Sequence, residues 1–136
     1  MDDPLSIYPG YSLRRAANAT GAELAARLAA LDLRQSEASV LLILAAHPEI
    51  TASALGRKLD IQRANMVPLL KRLESAGLLE KHAIDGKSQG LALTPAGATR
   101  CEEARAVIEN FEAELLTRVP PEHRQHLLPA LNALWS

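Results

Sequence analysis

Between Thr51 and Pro95 the helical period of the chain breaks off after Gly77 and a new helix start follows at Thr94, and this change limits the fold more than any other feature. Ala54, Leu55 and Leu59 recur at helical spacing, and Thr51 just before them offers the side-chain oxygen that caps a helix. Asp60-Ile61 makes the turn. The next run starts near Gln62, carries Met66, Leu69, Leu70 and Leu73 on one face, and closes at Ala76-Gly77, where glycine suits the left-handed residue that ends a helix. Two helices joined by so short a turn predict a helix-turn-helix. Residues 78–84 and 89–93 then flank Asp85-Gly86-Lys87-Ser88, and an Asp-Gly turn between short apolar-containing runs predicts a two-stranded hairpin, a candidate wing. Thr94-Pro95 supplies a second cap, with proline at the first helical position.

Helical segments bracket this unit. The first ten residues, with Pro4, Pro9 and Gly10, read as an irregular arm. From Tyr11 onward Leu13, Ala17, Thr20, Leu24, Leu28 and Leu31 fall on one stripe of a long helix. A second helix, capped by Asp32 or Ser36, runs through the apolar residues 40–44 to His47, where Pro48 stops it. Apolar nearly all round, it is expected at the centre of the core. Beyond Thr94, Gly97, Cys101, Ala104, Ile108, Phe111 and Leu115 form a heptad-like seam, which calls for a helical partner. Pro120-Pro121 ends that helix and opens a last one bearing Leu127, Leu128, Leu131, Leu134 and Trp135, with Pro129 in its middle. The expected class is mainly α (α+β), a winged helix-turn-helix.

Composition agrees. Hydrophobic residues make up 48% of the 136 but aromatic residues only 3%, so the apolar surface is largely Ala, Leu, Val and Ile, and one domain is expected. No apolar run reaches the roughly 18 residues that span a bilayer. The start, Met1-Asp2-Asp3-Pro4, lacks the basic flank of a secretory signal, which points to a cytoplasmic protein. Cys101 is the only cysteine; it excludes an internal disulfide and a cysteine-rich zinc site, and its place on the apolar stripe suits a buried thiol better than a redox sensor. A net charge of −1 speaks against a polyanionic partner until its distribution is considered. Residues 56–88 hold seven basic and four acidic side chains, a local +3, whereas residues 102–122 hold two and six, a local −4.

Residues 54–97 resemble the winged helix-turn-helix core of the MarR family of bacterial repressors. The order of parts carries the resemblance: a helix-turn-helix, the pattern L-x-x-L-E-x-x-G-L from Leu70 to Leu78, an Asp-Gly wing tip, then Leu-Thr-Pro-x-Gly from Leu93 to Gly97. It extends from about Tyr11 to Leu134, because the family builds its dimer from the first and last helices. The resemblance implies a single domain over 1–136, with a DNA-binding lobe at 32–93 and N- and C-terminal dimerisation helices at 11–31 and 94–136. It further implies a homodimeric transcriptional repressor on a near-palindromic double-stranded operator, often released by a small, frequently aromatic ligand. Two positions depart from the family's common pattern. Lys87 stands where the wing tip usually carries arginine, keeping the charge but losing the flat guanidinium that suits a narrow minor groove. Pro68 lies inside the second helix of the motif and deletes its bond to the carbonyl of Ala64, a cost of about 3 kcal/mol in an isolated helix.

With Met66, Leu69, Leu70 and Leu73 inward, that helix turns Ala64, Pro68 and Lys71 outward, flanked by Arg63 and Val67 on one side and Asn65 and Arg72 on the other. Ala64 and Pro68 suit close approach to thymine methyls, Gln62, Arg63 and Asn65 suit base edges, and Lys71 and Arg72 suit phosphates. Ser53 and Lys58 on the preceding helix, and Lys87 and Ser88 on the wing, extend the DNA-binding set; Ser53 and Lys58, like Thr51, serve capping and solubility equally well. Tyr8, Tyr11, Arg14 and Arg15 are candidates for an effector site, since arginines hold carboxylates, although tyrosines there also suit dimer packing. His123 and His126 have metal-ligand spacing on a helix but no second ligand pair, so no metal or other cofactor is expected. No G-x-S-x-G or glycine-rich phosphate loop occurs, which speaks against an enzyme. The near-neutral net charge and Lys87 keep a second reading open, a winged-helix protein-interaction module without DNA binding.

Overall fold

Pro9 starts the first helix, α1 (Pro9–Ala29), because its fixed φ suits a first helical position, so the irregular arm is shorter than the apolar stripe alone indicates. The computed structural model describes residues 3–136. After α1 come α2 (Gln35–Ala46), strand β1 (Ile50–Thr51), α3 (Ala52–Leu59), α4 (Arg63–Ser75), the strands β2 (Leu79–Ala83) and β3 (Gln89–Leu93), α5 (Pro95–Arg118), a 3-10 turn (Pro121–His123) and α6 (Arg124–Asn132).

The caps at Thr51, Thr94 and Gly77 form as their residue types dictate. Thr51 accepts the Ala54 N–H, Thr94 accepts the Gly97 N–H, and Gly77 has φ of 75°. The start of α2 is built differently from expectation. Neither Asp32 nor Ser36 caps it; Asp32 takes a left-handed conformation (φ 55°) that turns the corner from α1, and Glu37 Oε1 instead accepts the Arg34 N–H at 2.7 Å.

The wing is also larger than the expected two strands. Residues 50–51 run extended past β3, pairing Ile50 with Leu91 and Thr51 with Gly90, so the antiparallel sheet has the order β1-β3-β2. A two-residue strand has no period to read, which is why the sequence does not announce it.

One core links the motif to the flanking helices. Leu28, Val40, Leu41, Leu44, Leu55, Leu73, Leu79, Leu91 and Cys101 are all fully buried within it. The α5 seam does not wait for another chain: Gly97, Cys101, Ala104 and Phe111 are buried, and α5 packs on α2 and α1 of its own chain. Burial pushes the Cys101 thiol above its ordinary pKa. Polar ties reinforce the α1–α5 contact. Arg118 makes two hydrogen bonds to Glu23, at 2.9 and 2.7 Å, while Arg27 pairs with Glu114 and lies over the Phe111 ring at 5.5 Å. Both glutamates are held below the usual carboxylate range by these hydrogen bonds. Most of the large apolar side chains left open lie toward the two ends of the chain, Leu5, Ile7, Tyr8 and Leu13, and Leu116, Leu128, Leu134 and Trp135; Val67 and Ile84 are open in its middle.

Candidate nucleic-acid interface

Leu55 and Gly56 of α3 are buried against the core, and a Cβ at Gly56 would stand 3.1 Å from the Ile61 carbonyl oxygen and 3.3 Å from Met66 Cγ, so α3 and α4 meet closely at their junction. Asp60, left-handed at φ 54°, makes the turn between them. Met66, Leu70 and Leu73 then fix which side of α4 faces in, and Arg63, Ala64, Asn65, Val67, Pro68 and Lys71 are left facing out. Val67 is 61% exposed on this outer face.

Across from α4 stands the β2–β3 hairpin, whose tip is held by Asp85. Its Oδ1 accepts the N–H groups of both Lys87 and Ser88 at 2.8 Å, and these bonds hold the Asp85 carboxyl below its ordinary pKa. Between α3, α4 and the hairpin lies a concave groove of about 990 Å³. Ser53, Gln62, Arg63, Lys87 and Ser88, scattered along the sequence, all line it. Ala64, Asn65, Pro68 and Lys71 are exposed on the outer face of α4 beside the groove, and Lys58 is exposed on α3.

Arg57 was missed by sequence reasoning. It lines the groove and donates through Nη1 to Ser53 Oγ at 2.9 Å. Arg72, expected among the phosphate-gripping residues, is engaged within its own chain. Its Nε lies 2.9 Å from Glu37 Oε2 and its Nη2 3.5 Å from Asp32 Oδ1, so the guanidinium is turned back onto α2 and the α1–α2 corner. A buried carboxylate within reach holds an arginine more strongly than water does.

At the head of α1 the candidate effector residues divide. The Tyr11 hydroxyl donates to Asp3 Oδ2 at 2.9 Å and accepts from Arg15 Nη1 at 2.7 Å, and the guanidinium groups of Arg14 and Arg15 lie 6.0 and 5.7 Å from its ring. The Leu5 N–H, followed by the Tyr11 hydroxyl, holds the Asp3 carboxyl below its ordinary pKa. Asp3, Ser6, Tyr11 and Arg15 border a shallow hollow of about 420 Å³, while Tyr8 and Arg14 stand outside it. His123 and His126 are exposed. No helix among the described residues is long and apolar enough to cross a membrane.

Comparison with known proteins gives a consistent result. A family model described as the MarR family matches residues 31–88. The uncharacterized HTH-type transcriptional regulator YdgJ of Bacillus subtilis is 32% identical over 101 residues, 73% of this chain; the aligned stretch is 62% of that relative's length. The HTH-type transcriptional repressor Rv2887 of Mycobacterium tuberculosis is 29% identical over 119 residues, 85% of this chain and 86% of the relative. Among solved structures, the transcriptional repressor CouR bound to a 23-mer DNA duplex superposes with a TM-score of 0.90 at 29% identity, covering 97% of this chain and 95% of that one. Rv2887 in complex with DNA gives 0.77 at 27% identity, covering 99% and 100%. The same protein in complex with salicylic acid gives 0.74 at 28% identity, covering 98% and 97%.

Proposed function

The chain belongs to the MarR family, and from that premise we propose that it is a homodimeric, sequence-specific DNA-binding transcriptional repressor. The observation that carries the reading is the groove between α4 and the hairpin, where Arg57, Arg63 and Lys87 converge from three separate elements. A helix in the major groove and a wing in the neighbouring minor groove must straddle one sugar-phosphate ridge, and a concave floor with cations on its walls receives such a ridge. Asp85, one of the groove's carboxylates, is engaged by backbone N–H groups.

In this reading Arg63 and Asn65, with Gln62, read base edges; Ala64, Val67 and Pro68 meet thymine methyls; and Ser53, Arg57, Lys58, Lys71, Lys87 and Ser88 hold phosphates or the minor groove. Residues 32–93 form the DNA-binding lobe of a single domain. Residues 11–31 and 94–136 form the dimerisation region, supported by the apolar side chains left open at the two chain ends. The dimer then presents two copies of α4 to successive major grooves about 34 Å apart on a near-palindromic operator. In the same reading the protein acts in the cytoplasm and is not an enzyme, which its likeness to transcriptional regulators supports.

The salicylic acid complex of Rv2887 supports release by a small aromatic carboxylate. At the hollow beside Tyr11 and Arg15, such a ligand would compete with the Asp3 carboxylate for the Tyr11 hydroxyl and meet the Arg15 guanidinium. Titrating salicylate into a preformed protein–DNA complex tests this, with Arg15→Ala expected to blunt the release.

The test of the main reading is a binding titration on a duplex from upstream of the protein's own gene, at several salt concentrations. Affinity is expected to fall steeply with salt, and Arg63→Ala and Lys71→Ala to cost far more specific binding than Arg105→Ala on the distant α5. Equal losses from all three variants, or no duplex binding in dilute salt, would return the chain to the protein-interaction reading.

A further inference from the structure

Among the described residues, Glu37 is the one charged side chain that is buried, at 1% exposure. Both of its oxygens are used. Oε1 accepts the Arg34 N–H at 2.7 Å, closing the first turn of α2, and Oε2 lies 2.9 Å from Arg72 Nε on α4. Arg72 Nη2 also reaches Asp32 Oδ1 at 3.5 Å, and Asp32 is the left-handed residue at the corner between α1 and α2.

Stability alone does not call for this arrangement. Taking a carboxylate out of water is costly, and well-packed apolar residues often replace a buried ion pair without loss. A close ion pair between side chains of two different helices adds a fixed point of contact that the apolar packing lacks. The apolar contacts of Met66, Leu70 and Leu73 tolerate small rotations of α4 about its own axis, because dispersion contacts are many, weak and non-directional. A side-chain tip lies roughly 6 Å from a helix axis, so a rotation of about 20° carries it about 2 Å, enough to break a hydrogen bond. The α4 residues that face the groove and solvent are sensitive to such a shift, and the Arg72–Glu37 ion pair opposes it.

We propose that Glu37 is a positioning residue for DNA recognition: through Arg72 it locks the rotation of α4 so that Arg63 and Asn65 meet base edges in register. The proposal rests on the DNA-binding reading and deepens it. It also assigns Arg72 a role other than phosphate contact.

Glu37→Gln separates the possibilities, because glutamine keeps an oxygen for the Arg34 N–H and sets an amide N–H against the Arg72 guanidinium. Parent, Glu37→Gln, Arg72→Gln, the double variant and Arg72→Lys are titrated on the upstream duplex and on an unrelated duplex of equal length, with helical circular dichroism and thermal midpoint recorded for each. Either single substitution is expected to weaken specific binding about tenfold or more. The double variant should be no worse than the singles, unrelated-duplex binding should hold, and the salt dependence should not change. Arg72→Lys should fall with them, since lysine keeps the charge without the guanidinium geometry.

The proposal is overturned if Glu37→Gln binds the operator as tightly as the parent or more tightly, as a guanidinium freed to grip phosphate would do. It is also overturned if Arg72→Gln weakens both duplexes alike and lowers the salt slope by about one. Should Glu37→Gln fail to fold, Arg72→Lys decides: parental affinity in that variant is fatal to the proposal. A parent that binds no duplex at all removes the functional reading together with the proposal, whereas a binding parent with unimpaired variants removes the proposal alone.

Discussion

The carbonyl group of Leu78 occupies the space in which a side chain on residue 97 would begin: a Cβ on Gly97 would overlap its oxygen and stand 2.8 Å from its carbon. The same carbonyl accepts the Thr94 N–H at 3.2 Å, and Thr94 Oγ1 donates to the Gly77 carbonyl at 2.5 Å. The start of α5 is thereby seated on the short link between α4 and β2.

Gly97→Ala is therefore expected to be severely destabilising, because the obstacle is backbone and no flexible side chain can yield. Overpacking of ordinary cores costs about 1–3 kcal/mol, and this site should reach the top of that range. A drop in thermal midpoint of roughly 10 °C follows for a chain of this size. A midpoint within about 2 °C of the parent would show that the α5 start can shift without cost.

Pro68→Ala is expected to move stability and recognition in opposite directions. Alanine restores the N–H that proline lacks inside α4, together with the bond to the Ala64 carbonyl, and should stabilise the protein by about 1 kcal/mol after packing absorbs part of the intrinsic preference. If the pyrrolidine ring contacts thymine methyls, operator affinity falls as the thermal midpoint rises. Replacing the facing thymines by deoxyuridine should then weaken the parent and leave Pro68→Ala unaffected. A loss of the same size in both proteins places those methyls elsewhere.

The wing tip should depend on pH only on the acid side. Hydrogen bonds from the Lys87 and Ser88 N–H groups lower the Asp85 pKa, so their contribution is complete above the ordinary aspartate value of about 3.9 and is lost as pH falls through the lower folded value. The amide resonances of Lys87 and Ser88 are expected to stay constant near neutrality and to move together below that range. Asp85→Ala should loosen the tip at every pH and weaken operator binding several-fold, with an unchanged thermal midpoint, since the residue is exposed. Movement of the two resonances near pH 6 would implicate another group.

Much of the motif was legible because its instructions are local. Thr51 and Thr94 reach N–H groups three residues away, and Gly77 needs only its own backbone freedom. The turn-forming Asp85-Gly86 between the short apolar-containing runs 78–84 and 89–93 likewise announces the hairpin, whose strands pair as β2 and β3. The groove was half legible: the motif indicated Arg63 and Lys87, but that Ser53 and Gln62 line the same hollow depends on how α3 crosses α4. Arg57 went unread because a basic residue on an exposed helix face looks the same whether it faces bulk water or a shared cavity.

The sequence by itself determined the segments, their order and the residues that start and stop them, since capping, turn formation and hydrophobic period all act within a few positions along the chain. Tertiary structure alone decided what each face meets. The α5 seam is filled by α1 and α2, residues 50–51 become a third strand, and Arg72, though still partly exposed, pairs with Glu37. An apolar stripe records only that it must be covered, and a charge only that it needs a counterpart or water; burial and Coulomb attraction depend on distance in space, which no local pattern contains.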